Sequence, residues 1–332
     1  MKNLLLTGCA GFIGYNFLRH FIDSGSINEY SKIVSIDKMG YATIYNKEEY
    51  ETICSEQGIA GICTNVTTLP NDALDKYFDD APVDVLSFAS ESHVDNSISS
   101  PELTFLENVQ IPVSILNMLK IYDIDTYWHI STDEVYGDLS LDVVNDSSKW
   151  FTTTSQYIPS NPYSASKVAQ DAYLHSIKHT FGLNLKIIRM ANQFGCYQHP
   201  EKMIPASIIR AINGQPIKVY GEGKNIRQWT YVEDTVKIIN KLLLEGTDAY
   251  ITHLADVKNL FDNNFIANKI KESLERHNIK ADIQYIDDRL GHDRAYALSV
   301  TPEIEREYNE SFNVSLDRTV DYYIERKDIW QI

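Results

Sequence analysis

Three glycines at a strand-to-helix junction constrain this chain more than any other feature. Gly8-Cys9-Ala10-Gly11-Phe12-Ile13-Gly14 follows the apolar run Leu4-Leu5-Leu6 and opens a helical pattern over Gly11 to Ser24. Glycines there let backbone N–H groups approach a pyrophosphate, which is favoured at the positive end of a helix. The spacing is Gly-x-x-Gly-x-x-Gly, not the more familiar Gly-x-Gly-x-x-Gly, so the turn needs support from its surroundings. Asp37 supplies it, closing the second apolar run roughly twenty residues beyond Gly14. A carboxylate at that place accepts hydrogen bonds from a ribose 2′-OH and repels a 2′-phosphate, which favours NAD over NADP.

The segments after the glycines keep the same rhythm. Ile33–Ile36, Ile59–Cys63, Val83–Phe88, Tyr127–Ser131 and Asn184–Met190 read as buried strands, with helical patterns over Pro101–Tyr122 and Tyr163–Phe181. Strands alternating with helices imply an α/β fold with a doubly wound, Rossmann-like parallel sheet. Beyond about residue 190 the rhythm breaks. Loops carrying Pro200, Pro205 and Pro216 precede helical patterns at Val232–Leu244 and Asn264–His277. Thr301-Pro302-Glu303 reads as an N-cap, a first-position proline and a first-turn acid. The expected division is a dinucleotide-binding domain over 1–190 and a smaller mixed C-terminal lobe over 191–332, with some segments returning to the first domain.

A chain of 332 residues can bury a full core without disulfide or metal staples. Its net charge of −16 argues against nucleic acid and anionic membrane as partners. No apolar run approaches the roughly 20 residues of a membrane span. The four cysteines form no Cys-x-x-Cys and fit a reducing cytoplasm. His175 and His179 share a helical face, but no third ligand is evident nearby, so no metal is expected.

Two further patterns carry chemistry. Tyr163 and Lys167 lie one helical turn apart, so an ammonium near the phenol would favour phenolate and make Tyr163 a general base. The same spacing recurs at Tyr220–Lys224 and Tyr323–Lys327, which read as surface pairs. Asn161-Pro162 sets Tyr163 apart as a helix entry, and Ser131-Thr132-Asp133-Glu134-Val135-Tyr136-Gly137 ends the preceding strand. Doubly wound sheets place ligands at that end of their strands. Two adjacent carboxylates there can divide acid from base work.

Taken together these residues resemble the extended short-chain dehydrogenases/reductases, and within them the nucleotide-sugar 4,6-dehydratases of the dTDP-glucose type. The resemblance covers nearly the whole chain. Besides the motifs above it rests on Ala89-Ser90-Glu91-Ser92-His93-Val94-Asp95, Pro200-to-Pro205, Gly221-to-Glu233 and Gly291-His292-Asp293-Arg294. The Thr-Asp-Glu triplet is its specific part, since epimerases of the superfamily usually lack both acids. A 4-epimerase is the alternative.

The resemblance implies the following roles. Tyr163 takes the sugar 4-OH proton, Lys167 holds the cofactor ribose, and Thr132 bonds the reacting oxygen. Glu134 removes the C5 proton, and Asp133 protonates the departing 6-OH. NAD contacts fall on Gly8, Gly11, Phe12, Ile13, Gly14, Asp37, Lys38, Met39, Gly40, Asn65, Val66, Phe88, Ala89, Ser90, Tyr163 and Lys167. Contacts to a nucleoside-diphosphate glucose fall on Ser92, Thr132, Asn192, Glu201, Lys202, Val219, Tyr220, Arg227, Arg289 and His292. A cytoplasmic homodimer joined through the helices at Pro101–Tyr122 and Tyr163–Phe181 is the family expectation. Cys9, Asn65, Glu107, Gln193 and His253 depart from the usual residues at their positions, and the segment from Met39 to Gln57 matches weakly.

Overall fold

The structure, a computed structural model, describes residues 1–43, 45–288 and 290–329. In chain order the first stretch holds β1 (Lys2–Thr7), α1 (Phe12–Asp23), β2 (Tyr30–Asp37), α2 (Lys47–Glu56) and β3 (Ala60–Cys63). It continues with β4 (Val83–Ser87), α3 (Val94–Ser99), α4 (Pro101–Met118), β5 (Ile124–Thr132), α5 (Pro162–Phe181) and β6 (Leu185–Met190). The rest comprises β7 (Asn192–Phe194), α6 (Met203–Ile212), β8 (Ile217–Tyr220), β9 (Ile226–Tyr231), α7 (Val232–Glu245) and β10 (Ile251–Leu254). Last come β11 (Leu260–Asp262), α8 (Asn263–Glu275), β12 (Ile283–Ile286), α9 (Pro302–Glu307) and α10 (Phe312–Glu325).

Seven strands form one sheet in the order β10-β6-β5-β4-β1-β2-β3. β1 pairs in parallel with both β2 and β4, so the chain runs out from the centre in one direction and then returns to run out in the other. This is the doubly wound arrangement expected for strands alternating with helices, and the reversal point beside β1 is where such sheets bind ligands. The strands are apolar on both faces because helices cover both. Leu5, Val34, Val85, Tyr127 and Ile187 from the sheet pack in one core with Ile111, Ile115 and Leu174 from α4 and α5.

The polypeptide crosses more than once between two compact units. Met1–Val135, Asn161–Arg189 and Val236–Thr252 form one; Tyr136–Ser160, Met190–Thr235 and His253–Ile332 form the other. The second unit has a three-stranded sheet, β11-β9-β7, and the parallel pair β12-β8. Phe194, Phe261, Phe265 and Phe312 stack or tilt against one another at its centre.

Several local expectations change. α4 stops at Met118, four residues short of Tyr122: beyond Leu119 the amides of Lys120 and Tyr122 make turn bonds to the carbonyls of Asn117 and Leu119 instead of continuing the helical ladder. Pro205 lies inside α6 rather than in a loop; in a first turn its missing N–H costs nothing. Tyr323 is no surface residue: it lies on α10, is fully buried, and donates its hydroxyl to the Gln198 carbonyl. The helix α2 carries a signal in the sequence, the Asn46…Glu49 capping box, but its weak apolar face hides it from periodicity. Thr301 caps α9 as expected. No described helix is long and apolar enough to cross a membrane.

Candidate active site

The glycine turn joins β1 to α1, and its three glycines have different physical reasons. Gly8 has φ +80°, and a Cβ there would collide with the backbone of Ala89. At Gly14 a Cβ would strike the carbonyl of Gly8. Gly11 has an ordinary extended φ of −79°, and its would-be Cβ meets only the Gly8 oxygen at 3.4 Å. The fold itself therefore does not demand glycine at 11; the room beside it suits a ligand. Gly11 also caps α1 without a side chain, so the first amides of the helix have no side-chain acceptor at the cap. Cys9 is buried with φ outside the positive range, so it is tolerated where glycine is usual.

Asp37 ends β2 beside this turn. One carboxylate oxygen accepts from the Ala10 N–H at 2.9 Å and the other from Met39 N–H at 2.8 Å. Burial raises its pKa against the pull of these amide bonds. Met39 has φ +53°, a left-handed conformation that is rare for a residue with a side chain and turns the chain directly after Lys38. Gly40 follows in the same loop. After β3, Asn65 accepts from the N–H and hydroxyl of Thr67, capping a short turn that buries Val66. After β4, Phe88 packs its ring on Phe17 of α1, Ala89 abuts Gly8, and Ser90 bonds Asn108. Phe12 and Ile13 are half-buried at the start of α1, and Ser92 is exposed. A pyrophosphate at Gly11 and a ribose at Asp37 fit this corner.

The second cluster lies at the carboxyl end of β5. Thr132 closes the strand, donating its hydroxyl to Asp133 at 3.1 Å and accepting from the Glu134 N–H at 3.3 Å. Glu134 is held by the Asn161 side-chain amide at 3.1 Å. Asn161 also caps α5 through the Ser164 N–H, and thereby fixes where the helix presents Tyr163. Tyr163 is buried within hydrogen-bonding reach of Thr132. Burial, then the charges of Glu134 and Asp133, push its phenol up. The expected lowering by Lys167 is thus not supplied by the chain's own groups. Lys167 is buried, donates to the Ile130 carbonyl at 2.7 Å, and has its pKa pushed down to about 8 by desolvation.

Four supporting residues escaped the sequence reading. Asn108, fully buried on α4, accepts from the Glu91 N–H at 2.7 Å and donates to Ser166 at 2.8 Å, tying the β4 loop to α5. Asp171, one turn beyond Lys167, pairs with Arg189 at 2.9 Å and lies 3.4 Å from His129. Burial pushes His129 down to about 4, so it is neutral. A polar residue inside a helix carries no positional signal in a single sequence.

In the second unit, Arg227 is buried over the Tyr296 ring, with its guanidinium donating to the carbonyls of Asp293, Ile226 and Arg294. It thus braces the loop that carries His292, which bonds Asp288 and meets the Tyr220 ring edge-on. Val219 is buried on β8, and Asn192 begins β7. Glu201 and Lys202, 3.7 Å apart, precede α6. His253 is buried, bonding Tyr136 and the Ser299 carbonyl. Arg289 lies outside the described residues. Among the described residues no group of three metal-ligating side chains is assembled.

A sheet that reverses beside a glycine turn, with an acid closing β2, defines a dinucleotide-binding enzyme fold; a Tyr–Lys pair beside polar groups on the next-but-one strand defines a short-chain dehydrogenase/reductase. The family model for the NAD dependent epimerase/dehydratase family matches residues 4–251, and the chain belongs to that family. It is 36% identical to the low-salt glycan biosynthesis protein Agl12 of Haloferax volcanii, over 97% of this chain and 98% of that one. It is 33% identical to a dTDP-glucose 4,6-dehydratase of Escherichia coli, over 97% and 92%. The solved dTDP-glucose 4,6-dehydratase DesIV of Streptomyces venezuelae, which has NAD bound, superposes with a TM-score of 0.85 at 30% identity over 99% of both chains.

Proposed function

We propose that the chain converts a nucleoside-diphosphate glucose, dTDP-glucose in the first place, to the 4-keto-6-deoxy sugar nucleotide with loss of water. The carrying observation is the pair of carboxylates at the end of β5, coupled to the Tyr163 phenol. Redox chemistry alone needs the tyrosine and a cofactor. Elimination of water additionally needs a base at C5 and an acid at the 6-OH.

NAD, when bound, would supply a hydride acceptor for C4 and, once reduced, a hydride donor for C6. Tyr163 accepts the 4-OH proton as C4 becomes a ketone. The Lys167 ammonium, anchored on Ile130, would orient the cofactor ribose. Thr132 bonds the reacting oxygen. The ketone acidifies the C5 hydrogen, which Glu134 removes, and Asp133 gives a proton to the departing 6-hydroxyl. Asn161 positions the Glu134 carboxylate for that step. Sugar-nucleotide contacts are assigned to Ser92, Asn192, Glu201, Lys202, Val219, Tyr220, Arg227 and His292. The enzyme works in the cytoplasm as a homodimer; exposed Leu103, Phe105 and Leu106 on α4 support the self-association.

The test is to incubate the protein and NAD separately with dTDP-glucose and UDP-glucose and to measure product masses. Loss of one water from dTDP-glucose is expected. Water loss only from UDP-glucose would reassign the base, and an isomer of unchanged mass would make the enzyme an epimerase.

A further inference from the structure

Glu107 stands at a position where the family usually has threonine, and it is not idle. From the second turn of α4 its carboxylate lies 2.7 Å from the Lys38 ammonium, which is also 3.5 Å from Glu91. The same Glu107 oxygen lies 3.5 Å from the Asn65 side-chain amide. Tyr41 donates to Glu91 at 3.3 Å and accepts from Asn96 at 3.0 Å. Lys38, Asn65 and Glu91 follow β2, β3 and β4 respectively, all at carboxyl ends. In the sheet the order is β4-β1-β2-β3, so a bridge from Lys38 to Glu91 crosses the end of β1. The glycine turn lies at that end. The left-handed turn at Met39 redirects the chain immediately after Lys38.

We propose that Lys38, Glu91 and Glu107 form a polar strap across the mouth of β1 that holds the dinucleotide on the enzyme between turnovers. This inference rests on the NAD reading of the glycine turn and deepens it. The chemistry gives the strap a purpose. A hydride taken from C4 must return to C6 of the same sugar, so reduced cofactor that escapes leaves the reaction half done. Lys38 keeps its charge in this setting. Desolvation alone would lower its pKa, but the Glu107 hydrogen bond and the charges of Glu107 and Glu91 outweigh it and raise it. The groups are part exposed, so the strap can open for loading and is sensitive to salt.

The experiment loads the full chain with labelled NAD, removes the excess, and follows release into unlabelled NAD at low and high salt. Glu107→Gln and Lys38→Met should each release NAD about two- to fivefold faster than the parent, the range set by part-exposed ion pairs. The double variant should be no faster than the faster single one, because both remove the same bridge. Added salt should speed release from the parent more than from Glu107→Gln. Equal release rates from loaded parent and variants, or identical salt dependence, would overturn the strap alone. Failure of the parent to bind labelled NAD at all would overturn the NAD reading as well.

Discussion

The polar residues of the two units are used differently. Around β5 and α5, Thr132, Asp133, Glu134 and Tyr163 act on one another: a hydroxyl bonds a carboxylate, and two carboxylates press on a phenol. In the second unit, Arg227 gives its guanidinium to three backbone carbonyls, Tyr323 gives its hydroxyl to a fourth, and His253 bridges Tyr136 to Ser299. The first pattern leaves ionisable groups in mutual tension, which shifts pKa values and suits proton transfer. The second satisfies buried polar groups and makes loops rigid. Identical residue types thus serve chemistry in one place and bracing in the other.

The sharpest break of that contrast is Tyr163→Phe. The ring still fills its buried place, but the proton acceptor is gone. Turnover should fall by roughly 10²–10⁴-fold, the usual worth of a positioned proton carrier, with sugar-nucleotide binding little changed. Steady-state rates and equilibrium binding measured together check this. Turnover near the parent value would move the 4-OH proton to another residue.

The two carboxylates should separate next. Glu134→Gln keeps the shape and the Asn161 contact but cannot take the C5 proton. Water loss should slow by about 10²-fold or more while C4 oxidation persists, raising the share of NADH seen during turnover. Asp133→Asn should also slow water loss, but C5 exchange with solvent deuterium should continue there and cease in Glu134→Gln. Exchange at the parent rate in Glu134→Gln would refute the assignment of base and acid. Normal dehydration by both variants would mean that other residues supply the C5 base and the acid at the 6-OH.

Lys167 tests the stability cost of such tension. Its ordinary pKa of 10.5 is pushed down to about 8 in the fold. Between those values the unfolded chain holds a proton that the folded chain has released, so this group makes stability rise with pH across that window. Below about pH 8 the fold bears the whole cost of the buried ammonium, about 3 kcal/mol. Lys167→Met also loses the bond to Ile130, worth about 1 kcal/mol. It should nonetheless melt higher than the parent at pH 7, with the gain shrinking as pH approaches 10.5, while losing activity. Equal melting temperatures at pH 7 would show that Asp171 compensates the charge.

What was legible follows the same division. The sheet could be read because both faces of its strands are covered, giving short continuous apolar runs. The β5 cluster could be read because the triplet, the Asn161 cap and the tyrosine follow one another along the chain. Asp171 and Arg189 were hidden, since nothing local says that a charged residue in α5 turns inward to meet an arginine inside the next strand, β6. The small strands β7 to β12 are three to six residues long. That is too short for alternation to stand out from loop sequence. Arg227 was found through family resemblance alone; nothing local predicts that its donors turn to carbonyls.

Asp37 carries the smallest of these effects and sits on the boundary between the two patterns. Its interval from the glycines marks it as a ribose reader. The structure also gives it a bracing task, because its two oxygens hold the Ala10 and Met39 amides. Each oxygen retains a second lone pair, so one carboxylate can brace the turn and accept ribose hydroxyls together. Asp37→Asn replaces one acceptor with a donor facing an N–H and removes the charge. NAD affinity should fall about tenfold, as expected for losing one charge-assisted bond. The preference for NAD over NADP should narrow by a similar factor, because the repulsion of a 2′-phosphate is gone. Titration of the protein with both dinucleotides separates the two tasks. A loss of NAD affinity with the preference unchanged would mean that Asp37 only braces the turn, and the selectivity would then have to come from elsewhere in the β2–β4 loops. A narrowed preference with NAD affinity intact would mean that Asp37 acts by repelling a 2′-phosphate and that neither its ribose bond nor its amide bonds matter for NAD binding.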